Sequence, residues 1–247
     1  MIRITRPSAP VLPAGSVLAE YDARHPKWLA RDEATMPEEE RALAGSIRSA
    51  PRRTGFIAGR LALHAALAES DARAHAARPV LRDARGRPAP TWDGAPPISI
   101  AHSRSRAVAA VAPDGSCAAI GIDVEEIDAH RAHALVRMSL SPAEVELVRA
   151  SDAELVVGPI AIWCAREACV KAHALEVGWF GTALVARRFE PCDVPIEPSA
   201  SAPASDHAAK HAPNRAWRIE IAFEGGAIFQ ATAWAGTDVA YAAAVRA

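Results

Sequence analysis

One stretch limits what this chain can build more than any other: Ile120-Gly-Ile-Asp-Val-Glu125, in which aliphatic residues alternate with glycine and two carboxylates. On a strand, successive side chains point to opposite faces. Ile120, Ile122 and Val124 then share one face, and Asp123 and Glu125 share the other. Further along, Trp163, Glu167 and Lys171 are spaced four apart, an interval that stacks them on one side of a helix. Where that side meets the acidic strand face, three carboxylates converge with a lysine one turn away. Close carboxylates repel one another unless they are protonated or hold a cation, and hard oxygen ligands suit Mg²⁺. The residues alone point to a Mg²⁺ site for phosphate chemistry; the plain alternatives are a solvated strand edge and an ordinary i,i+4 surface pair.

The 247 residues suffice for one large domain or two small ones. Half are hydrophobic and the net charge is −1, so no global basic field points to nucleic acid, and any anion site must be local. Cys117, Cys164, Cys169 and Cys192 form no C-x-x-C pair. Pro7, Pro10 and Pro13 interrupt the N-terminus where a signal peptide needs an apolar run, so a reduced, cytoplasmic protein is expected. The longest apolar run, residues 155–165, is too short to span a bilayer, so no membrane association is expected.

Taken in order, a strand is expected near residues 16–21. Thr35 and Glu38 have the spacing of a capping box, opening a helix that runs to about Ser49. A second helix after Pro51 carries a core stripe of Phe56, Leu63 and Leu67, with Arg52, Arg53 and Arg60 toward its N-terminal half. Free backbone N–H groups at a helix start, together with these arginines, suit a phosphate; a solvated basic face is the other reading. Gly86-Arg87-Pro88 reads as a turn. Residues 98–103, 107–112 and 117–125, joined by short polar turns, suggest a three-stranded antiparallel meander. Ser141, Pro142 and Glu144 mark a strong helix start, and Gly158-Pro159 opens the helix of Trp163, which serves as its core anchor. Residues 191–213, rich in Pro, Ala and Ser, read as a loop or linker. Residues 217–234 form a hairpin through Gly225-Gly226, and 238–245 a last strand.

G-I-D-V-E followed by W-x-x-R-E-A-x-x-K resembles the 4′-phosphopantetheinyl transferases of the surfactin-synthetase-activating type. Ile98-Ser-Ile-Ala-His102-Ser is similar to another of that family's motifs, with Ala101 in place of the usual serine. Gly86-Arg87-Pro88 and the stretch from Arg52 to His64 resemble two more. Arg166 stands where many members have lysine, and Leu175 to Gly181 departs from the common glycine-rich run. The resemblance covers about residues 35–190.

It implies an α+β fold: a pseudo-twofold pair of similar α+β halves with antiparallel sheets, divided here into residues 1–113 and 114–247, with the active site in the cleft between them. It also implies transfer of the 4′-phosphopantetheine arm of coenzyme A to a serine of an acyl or peptidyl carrier protein. Asp123, Glu125 and Glu167 are then the ligands of Mg²⁺, with Mn²⁺ as the alternative ion. Asp123, Glu167 and Lys171 are the catalytic group, with Glu144 or a water as further candidates for the base. Arg52, Arg53, Arg87, His102 and Lys171 are the coenzyme A contacts, and Arg131 or Arg137 could meet the carrier protein. The chain would act as a monomer. A non-catalytic module that binds coenzyme A or a nucleotide, and a metal-dependent phosphohydrolase, are the alternative functions.

Overall fold

The computed structural model describes residues 2–7, 12–151, 153–175, 183–193, 196–198, 215–224, 226–236 and 238–246. Mixed helices and antiparallel sheets make it an α+β fold, as expected. The first sheet contains β1 (Ile2–Pro7), β2 (Val17–Asp22), β5 (Ile98–His102), β6 (Arg106–Val111) and β9 (Ile196–Pro198), in the order β5-β6-β2-β1-β9. The second contains β7 (Ala119–Glu126), β8 (Leu184–Pro191), β10 (Arg215–Phe223), β11 (Ile228–Ala235) and β12 (Val239–Arg246), in the order β7-β12-β11-β10-β8. A small hairpin, β3 (Val80–Arg82) and β4 (Pro88–Pro90), turns through Gly86 at φ +79°, a left-handed conformation that glycine adopts without strain.

Each large sheet is crossed by one long helix. On the first, α3 (Ala50–Ala68) buries Phe56, Ile57, Leu61, Leu63 and Leu67 against Val17, Ala19, Tyr21, Ala107 and Ala109. On the second, α6 (Val157–His173) packs its apolar face onto alternate residues of β10 to β12. The other faces of the two sheets meet. Leu18, Ala101, Val108 and Ala110 lie against Ile120, Ile122, Val124, Trp234 and Tyr241 in a shared core. The layers therefore run helix, sheet, sheet, helix. All six residues of β6 are buried because it is covered on both faces.

Arg106, only 9 % exposed, lies among Glu20 at 3.1 Å, Asp22 at 2.6 Å and Asp238 at 3.0 Å, and Asp238 lies beyond the second sheet's β11. The Tyr241 hydroxyl donates to Glu20 (2.6 Å), and the Ser105 amide donates to Glu126 (2.7 Å). These bonds tie the two sheets together at one end. The short polar turn expected between the strands at 98–103 and 107–112 is present, and Ser105 and Arg106 at its end add these ties to the second sheet.

Other expectations need revision. The meander stops after two strands: β5 pairs with β6, but β7 leaves for the second sheet and pairs with β12. The far edge of β6 is already taken by β2. The cap expected at Thr35 does not form. Its hydroxyl donates to the Asp32 carbonyl at the end of α1 (Pro26–Glu33), and α2 (Glu38–Ser46) starts after Pro37 with no side-chain cap. Within the expected linker, residues 196–198 are a strand paired with β1. The Ser141 capping box and Pro142 at the start of α5 (Pro142–Ala150) stand as expected. Among the described residues, no helix is long and apolar enough to cross a membrane.

Candidate active site

The site is built where α6 lies across β7. Gly121 is the reason they can touch: a Cβ there would sit 1.9 Å from the Ala168 carbonyl oxygen and 2.7 Å from the Ala172 nitrogen. That approach brings the helix face of Glu167 and Lys171 onto the strand face of Asp123 and Glu125. Ile120, Ile122 and Val124 turn into the core between the sheets, as their alternation requires.

Lys171 Nζ donates to Asp123 Oδ1 at 2.7 Å and to the Ile122 carbonyl at 3.0 Å. Burial alone would lower the lysine's pKa, but the carboxylates of Asp123 and Glu167 outweigh it and hold the ammonium above its ordinary value. Glu125 accepts from Arg131 at 2.6 Å, and that guanidinium also lies 5.5 Å from the centre of the Trp163 ring. Trp163 is thus only partly buried and holds Arg131 as well as the helix. Arg131 belongs to α4 (Ala129–Met138), whose N-cap Asp128 accepts from the Arg131 amide. It faces the acidic group and is already engaged there. Beside it, a cavity of about 240 Å³ is lined by Arg104, Glu125, Glu126, Asp128 and Arg131.

Glu167 makes no hydrogen bond or ion pair among the described residues. Burial first, and then the charge of Asp123, push its carboxyl above the ordinary carboxylate range; the same two causes raise Glu125. Such mutual repulsion, from three hard oxygen donors on one patch, has the chemistry that a divalent cation answers. The side chains do not close on a point, however. Lysine and arginine nitrogens lie on two of the three carboxylates. Among the described residues, no three acidic, histidine or cysteine groups come close enough to hold a metal ion.

His102 ends β5 with its ring against α3: a Cβ on Gly55 would meet His102 Nδ1 at 2.6 Å. It therefore lies on the α3 face of the sheet, opposite to Ser99, whose hydroxyl accepts from the Ile122 amide of β7 at 3.0 Å. That bond joins β5 to β7 and sets His102 near the acidic patch. Burial, then the Lys171 charge, and lastly Arg82 lower the imidazole's pKa, against an opposing pull from Asp123.

The other sequence candidates lie apart from the carboxylates. Arg53 is exposed and pairs with Glu33 at 2.7 Å, Arg87 pairs with Asp83 at 2.7 Å, and Arg52 is exposed at the start of α3. Glu144 is fully buried. It closes the α5 cap, accepts from the Ala186 amide at 2.7 Å and pairs with Arg166, which also donates to Ser139 Oγ at 2.8 Å. Arg166 is 1 % exposed, so this arginine braces α5 and β8 on the far side of α6 from Lys171. Two residues escaped the motifs: Arg131 and Arg82. The i,i+6 spacing of Glu125 and Arg131 across a helix start fits no periodic template, and Arg82 has no motif around it. The departure at residues 175–181 falls largely outside the described residues.

Residues 119–231, from β7 into β11, match the family model of the 4′-phosphopantetheinyl transferase superfamily. The matched stretch holds Asp123, Glu125, Arg131, Glu167 and Lys171. It ends before β12 and, of the first sheet, takes in only β9. A comparison with curated proteins gives no match.

Proposed function

We propose that the protein transfers the 4′-phosphopantetheine group of coenzyme A to a serine of an acyl or peptidyl carrier protein. One observation carries the reading: Asp123, Glu125, Glu167 and Lys171 share the contact between β7 and α6, inside the stretch that matches the transferase superfamily. Asp123, Glu125 and Glu167 would hold a divalent cation, Mg²⁺ by its preference for hard oxygen donors, which supplies charge neutralisation at the pyrophosphate. Binding requires that Lys171 and Arg131 give up part of their hold on Asp123 and Glu125.

The residues then divide the work. Lys171, released toward the phosphates, stabilises negative charge on the oxygens in transfer. Glu167 has a raised pKa and no hydrogen-bond or ion-pair partner among the described residues, as suits a base that accepts the serine proton. The serine oxygen bonds to the pantetheine-side phosphorus. The bond to the bridging oxygen breaks, and adenosine 3′,5′-bisphosphate leaves. His102 and arginines of the first half, Arg52, Arg53 and Arg87 among them, hold the nucleotide's phosphates, so the first half binds the coenzyme and the second does the chemistry.

Intact-mass analysis of carrier proteins incubated with coenzyme A and Mg²⁺ tests this reading. The parent adds one phosphopantetheine. Asp123→Ala and Glu167→Ala lose loading by 100-fold or more, on the order of what a metal ligand or base contributes. Variants that load as fast as the parent would remove these residues from the mechanism. Binding of coenzyme A without Mg²⁺ dependence and without transfer would favour a non-catalytic module. The Lys171–Asp123 pair is what speaks for that second reading.

A further inference from the structure

Arg131 stands where its own helix gives it no reason to be. It lies three residues after the N-cap Asp128, in the first turn of α4, and that turn holds no acidic residue. A helix start favours anions, so a guanidinium there is set against the helix dipole. Its partners come from other elements. One terminal nitrogen lies 2.6 Å from Glu125 on β7, and the guanidinium lies 5.5 Å from the centre of the Trp163 ring on α6. Trp163 is one turn before Glu167 and two before Lys171, so the arginine runs along the edge of the acidic patch.

This hold is built to be exchanged. Of the ten residues of α4, only Ala132 and Leu135 are buried, so little apolar packing fixes the helix start. The Arg131 side chain is itself 43 % exposed and free to turn outward. The cavity of about 240 Å³ that it lines also holds Glu126 and Asp128, two carboxylates toward which a released guanidinium can move. Both are fixed in place: Glu126 accepts from the Ser105 amide at 2.7 Å and hydroxyl at 2.9 Å, and Asp128 accepts from the Arg131 amide at 2.8 Å. Arg131 therefore has two places for one charge, against Glu125 or out in the cavity. A cation bound by Glu125 selects the second, because it takes the carboxylate and repels the guanidinium.

Resting on the transfer reading above, we infer that Arg131 is a built-in counter-ion that competes with a divalent cation for Glu125, and that the exchange shifts the first turn of α4 and withdraws the guanidinium from Trp163. Arg131 sets how tightly the metal is held, and α4 is the element that responds to it.

The test uses the full-length parent, Arg131→Gln, Arg131→Lys and Trp163→Phe. Binding of Mg²⁺ and of Mn²⁺ is measured by calorimetry without coenzyme A, and tryptophan fluorescence is followed through the same titrations. Arg131→Gln binds Mg²⁺ about fivefold more tightly than the parent, the upper range for a partly exposed ion pair. Arg131→Lys falls between the two, since it keeps a charge but loses the planar fork. The parent's fluorescence changes as the metal saturates, and the change is lost in Trp163→Phe and in Arg131→Gln. A merely structural Arg131 leaves metal binding equal or weaker in Arg131→Gln, and that result overturns the inference. Where Arg131→Gln does not fold, the parent against Trp163→Phe decides: a metal-dependent signal from Trp163 supports the exchange, and its absence overturns it. Carrier-protein loading is assayed in parallel. If the parent shows the exchange but loads no carrier protein, the transfer reading falls and this inference stands. If the parent loads carrier protein while Arg131→Gln binds Mg²⁺ no more tightly, this inference falls alone. If the parent binds no divalent cation, the inference falls whatever loading shows.

Discussion

Arg166 shows how much one buried side chain can commit. Its guanidinium reaches Ser139 and Glu144, and Glu144 in turn holds the α5 cap and the Ala186 amide of β8. Removing one partner of such a pair leaves the other charged and dry. Arg166→Met is therefore expected to destabilise the fold by about 3–5 kcal/mol, read as a lower urea midpoint with unchanged slope. If its stability equals the parent's, the pair is not structural. Ser141 and Glu144 were legible as a cap because capping is local, three residues apart. Their tie to Arg166 was not, since nothing in the spacing of residues 144 and 166 announces that α5 and α6 will pack. The same limit hid the partners of Arg131. An arginine in the first turn of α4 acquires meaning only when Trp163, from another element, is found beside it.

Elements were more readable than their pairings. The alternation of Ile120 to Glu125 is decided by neighbours, so the faces of β7 followed from the residues alone. Which strand lies beside it did not, because β12 comes from the far end of the chain. Hence the expected meander broke at its third strand. The contact between β7 and α6 rests on Gly121, and its replacement is a direct trial of the site's architecture. Gly121→Ala forces its methyl group into the backbone of Ala168 and Ala172, which has no rotamer with which to yield. A loss of about 2–3 kcal/mol is expected from such overpacking. Transfer should fall further than stability does, because α6 carries Glu167 and Lys171 away from Asp123. Loading at the parent's rate in a folded Gly121→Ala would show that the contact does not set the chemistry.

At the scale of the whole molecule, the Arg106 cluster links stability to pH. Burial tends to raise the Asp22 carboxyl, but hydrogen bonds from Arg24 and the charge of Arg106 outweigh it and hold it well below the usual carboxylate range. A depressed folded pKa means that the folded state takes up this proton less readily than the unfolded chain. Its contribution is present above the unfolded value, about pH 4, and drains away as the pH falls toward the folded one. Urea midpoints measured stepwise from pH 5 to pH 2 should fall more steeply for the parent than for Asp22→Asn; parallel curves would assign the acid loss elsewhere.

The back-to-back sheets carry one more consequence. The surface that positions His102 beside the acidic strand also hides Leu18, Val108, Ile122 and Tyr241 from water. Lesions that part the two sheets would therefore reach the cell as aggregation and turnover rather than as a well-folded but inactive protein. Selection for clean production would by itself preserve the geometry of the β7–α6 contact.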